Sequence, residues 1–295
     1  MDKMIYFVPI VDVSWVNLGA LNPRKNFIAE PPPMELCNEE AEGIIDLMKE
    51  LYDGKFAYSV YTGTYCRDGF TQETFIKTWK RAIAQGGEIL IHTHEEIARV
   101  GTRNGEKDHM YEVIRRQYNN FINADIVPVG FRGGLYGYAN FLTPLLEELN
   151  LNIEFSAAPG INKPDREAVW TGIPHSAFYL CKNDKLHVNC EHEKSKILEI
   201  PIGADGLGTE NQNYLYIDYD LSDLEGAKRI WNSLLERVLK DDKPYMIHTL
   251  FHTFSMSNPR MVERYRRFTD FILNNGGYPV VPSEAKTIFD KDMVK

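Results

Sequence analysis

The sequence predicts an α/β fold, a distorted (β/α) barrel of seven or eight strands formed by one domain over residues 1–295. Short apolar runs alternate with amphipathic helical patterns along the chain, which is typical of repeated strand–helix units and a parallel sheet, either closed as a barrel or open and doubly wound. Neither a shift in composition nor an internal repeat marks a domain boundary. Barrels of this kind commonly form one domain of about 250 residues, so the length agrees with this interpretation.

The first half of the chain contains four predicted strands and the helices that follow them. The strands are residues 5–14, 56–61, 88–94 and 126–131. The helices begin near residue 39, after residue 71, at residue 108 and near residue 141. Apolar side chains recur in each helix at a spacing of about 3.6 residues, as one buried face requires. Asn38 is predicted to cap the first helix, because its side chain can accept a hydrogen bond from a free backbone amide.

The second half continues the alternation after an irregular segment. Strands are predicted at residues 153–157, 197–202, 245–252 and 278–281, and helices at residues 222–239 and 261–273. Residues 214–217 are a candidate for a further short strand. Residues 160–196 have no regular periodicity, so the sequence assigns no element to them.

The composition argues against two classes of protein. A net charge of −9 argues against a nucleic-acid partner, because such an interface needs clustered lysine and arginine. No apolar run reaches ~18 residues, so no membrane span is predicted. Residues 5–21 are apolar but contain Asp12 and Asn17, unlike a signal peptide. We expect a cytoplasmic protein, of unassigned oligomeric state, with free thiols at Cys37, Cys66, Cys181 and Cys190.

Asp12 is the first candidate for chemistry. In a barrel, functional residues collect at the C-terminal ends of the strands, and Asp12 lies near that end of an otherwise apolar strand. A carboxylate in such a place is costly unless it is paired or bound to a metal. The alternative is an aspartate that caps the following loop.

The third predicted strand ends in two histidines that share one face. His92 and His94 are two residues apart, so their side chains lie on the same face of the strand, about 6.5–7 Å apart. Both rings can therefore converge on one divalent ion. Glu95 and Glu96 follow directly and could add carboxylate ligands. The alternative is that these are histidines of the core with satisfied hydrogen bonds.

An arginine and a histidine end two further strands. Arg132 precedes a glycine-rich turn, and its guanidinium can orient a carboxylate or hold substrate oxygens. The alternative is a structural arginine paired with an acidic core residue. His252 ends the strand of residues 245–252 and is assigned to chemistry, whereas His248 lies deeper and is interpreted as a core histidine. No role is assigned to the remaining histidines, His109, His175, His187 and His192.

In this order, these positions resemble the motifs of the polysaccharide deacetylase family. Residues 87–94 resemble its second motif, a strand that ends in the metal-binding histidines. Residues 130–137 resemble its Arg-Pro-Pro-Tyr-Gly motif, and residues 271–281 resemble its closing helix and strand. The resemblance covers nearly the whole chain and implies a distorted barrel of the polysaccharide deacetylase type.

The resemblance also implies an activity, that of a metal-dependent hydrolase. Such an enzyme removes an N-acetyl or O-acetyl group from an amino sugar or glycan precursor. The implied metal ligands are Asp12, His92 and His94, with zinc as the expected ion. The implied catalytic residues are Asp12, Arg132 and His252. Asp12 serves either as a metal ligand or as the catalytic base. Arg132 orients Asp12, and His252 is the general acid.

Three departures from the family pattern affect the mechanism more than the fold. The family has two adjacent aspartates in its first motif, whereas Asp12 stands between two valines. The family histidines are four residues apart, whereas here Glu96 occupies the fourth position after His92. Glycines replace the prolines after Arg132. The alternatives are therefore a non-catalytic carbohydrate-binding barrel that lost the base, and a different hydrolase on a similar barrel.

Overall fold

The computed structural model describes residues 4–15, 31–97, 100–188, 190, 193–205, 216–220 and 222–293. Its strands, in chain order, are β1 Ile5–Asp12, β2 Ala57–Gly63, β3 Glu88–His94, β4 Glu96–Ile97, β5 Gly101–Thr102, β6 Gly130–Gly133, β7 Ile153–Glu154, β8 Asn162–Lys163, β9 Ala168–Val169, β10 Phe178–Cys181, β11 Lys194–Glu199, β12 Tyr245–His252 and β13 Gly277–Pro279. Its helices are α1 Met34–Tyr52, α2 Glu73–Ala84, α3 Lys107–Asn123, α4 Leu142–Glu148, α5 Leu224–Asp241, α6 Pro259–Asn274 and α7 Pro282–Ile288.

One curled sheet forms the wall of a barrel, in the order β10-β11-β7-β6-β3-β2-β1-β12, with β13 also paired to β1. All neighbours in this order are parallel except β10, which runs antiparallel to β11. Two isolated parallel bridges, Ile202 with His248 and Asp218 with Leu250, connect the chain beyond β11 to β12 and close the wall. The predicted distorted (β/α) barrel is confirmed.

Both faces of β1 are covered, as expected for a parallel strand inside an α/β barrel. Seven of its eight residues are buried, and only Tyr6 is partly exposed. On the outer face, the Phe7 ring makes edge-to-face contacts with Tyr52 of α1 at 5.6 Å and with Trp231 of α5 at 5.9 Å. These aromatic contacts attach the helices to the strand that carries Asp12.

The strand register brings the candidate residues to one end of the barrel. Asp12 lies directly opposite His252 on β12 and opposite Ser59 on β2. His92 lies directly opposite Arg132 on β6. Residues opposite one another on parallel strands point to the same side, so these side chains share the interior at the C-terminal ends of the strands.

Several predicted boundaries differ from the structure. Helix α1 begins at Met34, directly after Pro33, so Asn38 lies inside the helix and does not cap it. The side chain of Asn38 instead accepts a hydrogen bond from Thr78 of α2 at 2.8 Å. Strand β6 begins at Gly130, four residues later than predicted, so residues 126–129 lie before the strand.

The segment of residues 160–196 contains the short hairpin β8–β9, strand β10 and the start of β11. Cys181 and Cys190 form a disulfide within it, so the expectation of four free thiols was wrong; Cys37 and Cys66 are free. Of the predicted short strand at residues 214–217, Tyr216 pairs antiparallel with Ala204, while Tyr214 lies outside the described residues, as does His192. No described helix is long and apolar enough to cross a membrane.

Candidate active site

Asp12 and Arg132 form a buried ion pair at the barrel mouth. The Nε–H of Arg132 donates to both carboxylate oxygens of Asp12, at 2.9 and 3.0 Å, and its Nη1 donates to the carbonyl oxygen of Phe155 at 2.9 Å. Burial acts to raise the pKa of Asp12, but the charge of Arg132, helped by the nearby histidines, outweighs burial and holds this pKa well below its usual range. Arg132 is thus paired with Asp12, which agrees both with an orienting role and with the structural arginine that the sequence left open, so the catalytic roles of the two residues stay predictions.

His92 is fully buried beside Asp12. Its Nδ1 lies 3.0 Å from the carbonyl oxygen of Arg132, and its Nε2 lies 3.5 Å from Oδ2 of Asp12. Burial lowers the pKa of His92 to about 3, although the charge of Asp12 opposes this shift. The ring is therefore neutral at physiological pH.

His94 and the two glutamates that follow it point to different partners. The Nδ1 of His94 lies 2.8 Å from Oε1 of Glu96, and its ring stacks on Tyr61 at 5.3 Å. Glu95 is fully buried and accepts two hydrogen bonds from Arg67, and its Oε2 lies 2.6 Å from Nε2 of His109. Glu95 thus connects three segments of the chain, a role that the sequence analysis did not find for it or for His109.

His252 faces Asp12 from the other side. Its Nδ1 donates to the carboxylate of Asp220, and its Nε2 lies 3.8 Å from Oδ2 of Asp12. Burial acts to lower the pKa of His252, but the charges of Asp220, Asp218 and Asp12 together outweigh burial and raise this pKa to about 9. The ring is therefore protonated at neutral pH. Ser255 donates to the second oxygen of Asp220 and fixes that carboxylate.

Asp218 completes an acidic group around His252. It is buried, and its Oδ2 accepts a long hydrogen bond of 3.5 Å from the Tyr136 hydroxyl. Burial, with the nearby charge of Asp220, raises the pKa of Asp218 to about 6, although the charge of His252 acts to lower it. The ligand atoms of Asp218, Asp220 and His252 all lie within 4.8 Å of one another. In the described part of the chain, this is the only group of three such residues that close together.

The metal ligands predicted from the sequence are arranged differently. Asp12 and His92 are neighbours, but these two residues and His94 do not form a group in which all three ligand atoms lie within 4.8 Å. Their assignment to one metal ion stays a prediction. His248 is fully buried, and its Nδ1 lies 2.7 Å from the carbonyl oxygen of Ile200.

Asp218 and Asp220 were missed because residues 214–217, which precede them, were only a candidate for a short strand. A usable signal was nevertheless present, since two acidic residues in alternation come directly after a predicted strand that ends at residue 217. The same criterion, a carboxylate at the end of a strand, identified Asp12.

Solved structures that are similar to this chain cover nearly all of it. PuuE allantoinase is 13% identical, with a TM-score of 0.60 over 100% of this chain and 93% of its own. A protein from Pseudomonas aeruginosa PAO1, described as a polysaccharide deacetylase, is 12% identical, with a TM-score of 0.59 over 99% of this chain and 94% of its own. The chain has the polysaccharide deacetylase fold.

A second protein described as a polysaccharide deacetylase, from Mycobacterium smegmatis, is 14% identical, with a TM-score of 0.57 over 99% of this chain and 92% of its own. No protein-family profile and no curated protein matches the sequence. At these identities the polysaccharide deacetylase fold is what the comparisons share with this chain, and any activity has to be argued from the side chains at the barrel mouth.

Proposed function

We propose that this protein is a hydrolase that removes an acetyl group, N-linked or O-linked, from an amino sugar or glycan precursor. One observation carries the proposal: Nε2 of His252 lies 3.8 Å from Oδ2 of Asp12, and each side chain has a partner of its own, Asp220 for His252 and Arg132 for Asp12. Arg132 keeps Asp12 ionised, and Asp220 keeps His252 protonated. A proton acceptor and a proton donor on two sides of one small space are what the hydrolysis of an amide or ester requires.

Each member of the pair has a defined task. Asp12 accepts a proton from the attacking water, and Arg132 fixes the direction of its carboxylate. His252 gives a proton to the leaving nitrogen or oxygen, which would otherwise depart as an unstable anion. Acid and base catalysis by positioned side chains each contribute about 10²–10⁴-fold to the rate.

A divalent metal ion, which we propose to be zinc, would be held by the carboxylates of Asp218 and Asp220, while the Nδ1–H of His252 stays bonded to Asp220. The two carboxylates fit such an ion, because they are close neighbours, the buried Asp218 gains from a positive charge beside it, and carboxylate oxygens are zinc ligands. When bound, the ion supplies positive charge that stabilises developing negative charge on a carbonyl oxygen. Nδ1 of His252 faces these carboxylates, so its Nε2–H stays directed at Asp12.

The proposal is tested by acetate release from a panel of N-acetylated and O-acetylated sugars and sugar nucleotides, with divalent metal added. The wild type should release acetate, and Asp12→Asn should lower kcat by about 10²-fold or more. The matched control is Asp125→Asn, at an exposed position where asparagine also tolerates the positive φ. A folded wild type that releases nothing across the panel would instead favour the non-catalytic carbohydrate-binding barrel.

A further inference from the structure

The glycine-rich turn after Arg132 contains two residues in a backbone conformation that side chains rarely adopt. Leu135 has a φ of 53° and Tyr136 a φ of 63°, both in the left-handed region, where the Cβ atom crowds the backbone. A non-glycine residue stays in this conformation only when the surrounding structure holds it there, and such residues cluster at active sites. The turn must therefore be held by contacts from outside it.

The segment of residues 160–196, to which the sequence assigns no element, supplies these contacts. Trp170 is fully buried just after β9, and its indole Nε1–H donates a hydrogen bond to the carbonyl oxygen of Tyr136 at 2.8 Å. The backbone of Trp170 is fixed on both sides, because its amide donates to Ile161 at 2.9 Å and its carbonyl accepts from Gly160 at 3.0 Å. The indole is therefore a fixed donor directed at the strained turn.

Lys185, in the same segment, holds the chain just beyond the turn. Its ammonium group lies 4.7 Å from the centre of the Trp170 ring and donates to the carbonyl oxygens of Tyr138 and Glu167. The amide of Tyr138 donates in turn to the carbonyl oxygen of Glu167 at 3.1 Å. The segment is therefore joined to the carbonyl of Tyr136 and to both backbone groups of Tyr138.

The backbone of the turn determines where the Tyr136 ring lies in the barrel mouth. The ring centre is 5.2 Å from Cζ of Arg132, so its aromatic face lies against the guanidinium, and its hydroxyl donates to Asp218 at 3.5 Å. The same guanidinium donates to Asp12 through Nε. If the turn relaxed to negative φ, the ring would move away and one face of the guanidinium would lose its support.

We propose that Trp170 is a positioning residue for hydrolysis at the barrel mouth. Its indole N–H holds the strained turn, and the turn keeps the Tyr136 ring against the guanidinium that orients Asp12. This inference rests on the proposed hydrolase function and gives the irregular segment a part in it. A tryptophan that served stability alone would lower the free energy of unfolding when replaced, without changing the kcat of the folded protein.

Trp170→Phe removes the donor and keeps an aromatic ring in its place. The kcat per folded protein should fall about 10-fold with KM unchanged, because displacing a catalytic group lowers the rate without weakening substrate binding. Trp79→Phe is the matched control. Trp79 of α2 is equally buried, and its Nε1–H also donates to a backbone carbonyl at 2.8 Å, that of Phe70. This control should keep the kcat of the wild type.

Leu135→Gly tests whether strain in the turn is the reason that the indole is needed. Glycine adopts a positive φ without steric cost, so the turn then needs less support. The Leu135 side chain is half-buried and lies outside the hydrophobic core of the described residues, so the single variant should keep the kcat of the wild type. In the double variant Leu135→Gly, Trp170→Phe, kcat should be about threefold or more above that of Trp170→Phe.

Carbon-13 chemical shifts of the Cα and Cβ atoms of Leu135 and Tyr136 report their φ angles without any substrate. In Trp170→Phe these shifts should move toward the values typical of negative φ, and in Trp79→Phe they should stay unchanged. Unchanged shifts in Trp170→Phe would overturn the inference whether or not the wild type is active.

The kinetic outcomes separate this inference from the function on which it rests. A wild type that is inert on the whole substrate panel overturns the proposed hydrolysis, and the chemical shifts then decide whether Trp170 holds the turn. An active wild type with an equally active Trp170→Phe overturns only the positioning role. A loss of kcat that Trp79→Phe shares, or that Leu135→Gly does not reduce, overturns it as well, because the indole would then serve the fold alone.

Discussion

The Nε–H of Arg132 donates to both carboxylate oxygens of Asp12, at 2.9 and 3.0 Å, and joins β6 to β1 across the barrel mouth. Both side chains are almost completely buried. Removing one partner of a buried ion pair costs about 3–5 kcal/mol, since the other charge is left without compensation. The contact therefore contributes to the shape of the mouth as well as to the ionisation of Asp12.

Replacing Arg132 by lysine should lower kcat by about 10²-fold, because precise orientation of a catalytic group is worth that much. Lysine keeps the charge but not the planar group that donates to Asp12 and to the Phe155 carbonyl together. Steady-state kinetics on the best substrate of the panel measures the effect. Arg116→Lys is the control, because Arg116 pairs with Asp68 at the surface. Wild-type kcat in Arg132→Lys would show that the directed contacts of the guanidinium with Asp12 and the Phe155 carbonyl do not matter.

Metal content should separate the two candidate ligand sets. We expect about one zinc per chain in the wild type, since each set provides one site. The double variant Asp218→Asn, Asp220→Asn should lose it, whereas His92→Ala, His94→Ala should retain it. Elemental analysis of the purified proteins, with circular dichroism as a check on folding, gives the answer. The reverse pattern would return the metal to Asp12, His92 and His94, the set that the sequence predicts.

A second pair of buried acids, outside the proposed active site, gives a prediction about stability. Glu154 of β7 lies directly opposite Glu199 of β11, and both are fully buried. The backbone amides of Ser156 and Ala157 donate to one carboxyl each, at 2.9 and 3.0 Å. Burial raises the pKa of both groups, and the nearby charge of Glu154 raises that of Glu199 further. The pair therefore retains a proton in the folded chain.

A raised pKa in the folded state means that the folded chain binds this proton more tightly than the unfolded chain. Its stabilising effect is complete below the unfolded glutamate pKa of about 4.3 and is lost as the pH rises through the folded value. Glu199→Gln removes the ionisation, so its free energy of unfolding, relative to wild type, should increase between pH 5 and pH 8.

Urea unfolding at pH 5 and pH 8 measures this difference for Glu199→Gln and for Glu236→Gln, whose side chain is exposed and serves as the control. The expected increase in the free energy of unfolding of Glu199→Gln, relative to wild type, is about 1.4 kcal/mol for each unit by which the pKa of Glu199 is raised within that pH range. A free energy of unfolding of Glu199→Gln that, relative to wild type, does not increase from pH 5 to pH 8 would show that the pair is ionised in the folded chain.

The sequence predicted the regular part of the fold because strand and helix periodicities are local. The bounds of β3 and β12 coincide with the predicted residues 88–94 and 245–252. Strands such as β7, with two paired residues, depend on the register of neighbouring strands, which no local pattern encodes. The disulfide between Cys181 and Cys190 was missed because the expected cytoplasmic location implied free thiols, and the spacing of the two cysteines does not by itself identify a pair.

The same distinction applies to the candidate active site. Asp12, His92, Arg132 and His252 could be found because each is at or near the end of a recognisable strand. Asp218 and Asp220 reach the mouth through the isolated bridge between Asp218 and Leu250, a contact between residues far apart in sequence. The protonation states of Asp12 and His252 depend on partners brought by other strands and loops, so they follow only from the folded chain.

The central claim is that His252 protonates the leaving group and Asp12 accepts a proton from water. A general acid matters when the leaving group is poor and much less when it departs readily, as the phenolate of an aryl acetate does. The most direct measurement is therefore kcat for an N-acetylated sugar and for 4-nitrophenyl acetate, with wild type, His252→Ala and Asp12→Asn. His187→Ala, at an exposed position, is the control.

We predict that His252→Ala lowers kcat on the N-acetylated sugar by about 10²–10⁴-fold, or about 3–5 kcal/mol of transition-state stabilisation, with folding intact. On the aryl acetate the same variant should lose less than about 10-fold, while Asp12→Asn should lose activity on both substrates. Equal losses on the two substrates in His252→Ala would contradict the account, because the histidine would then not act as the acid.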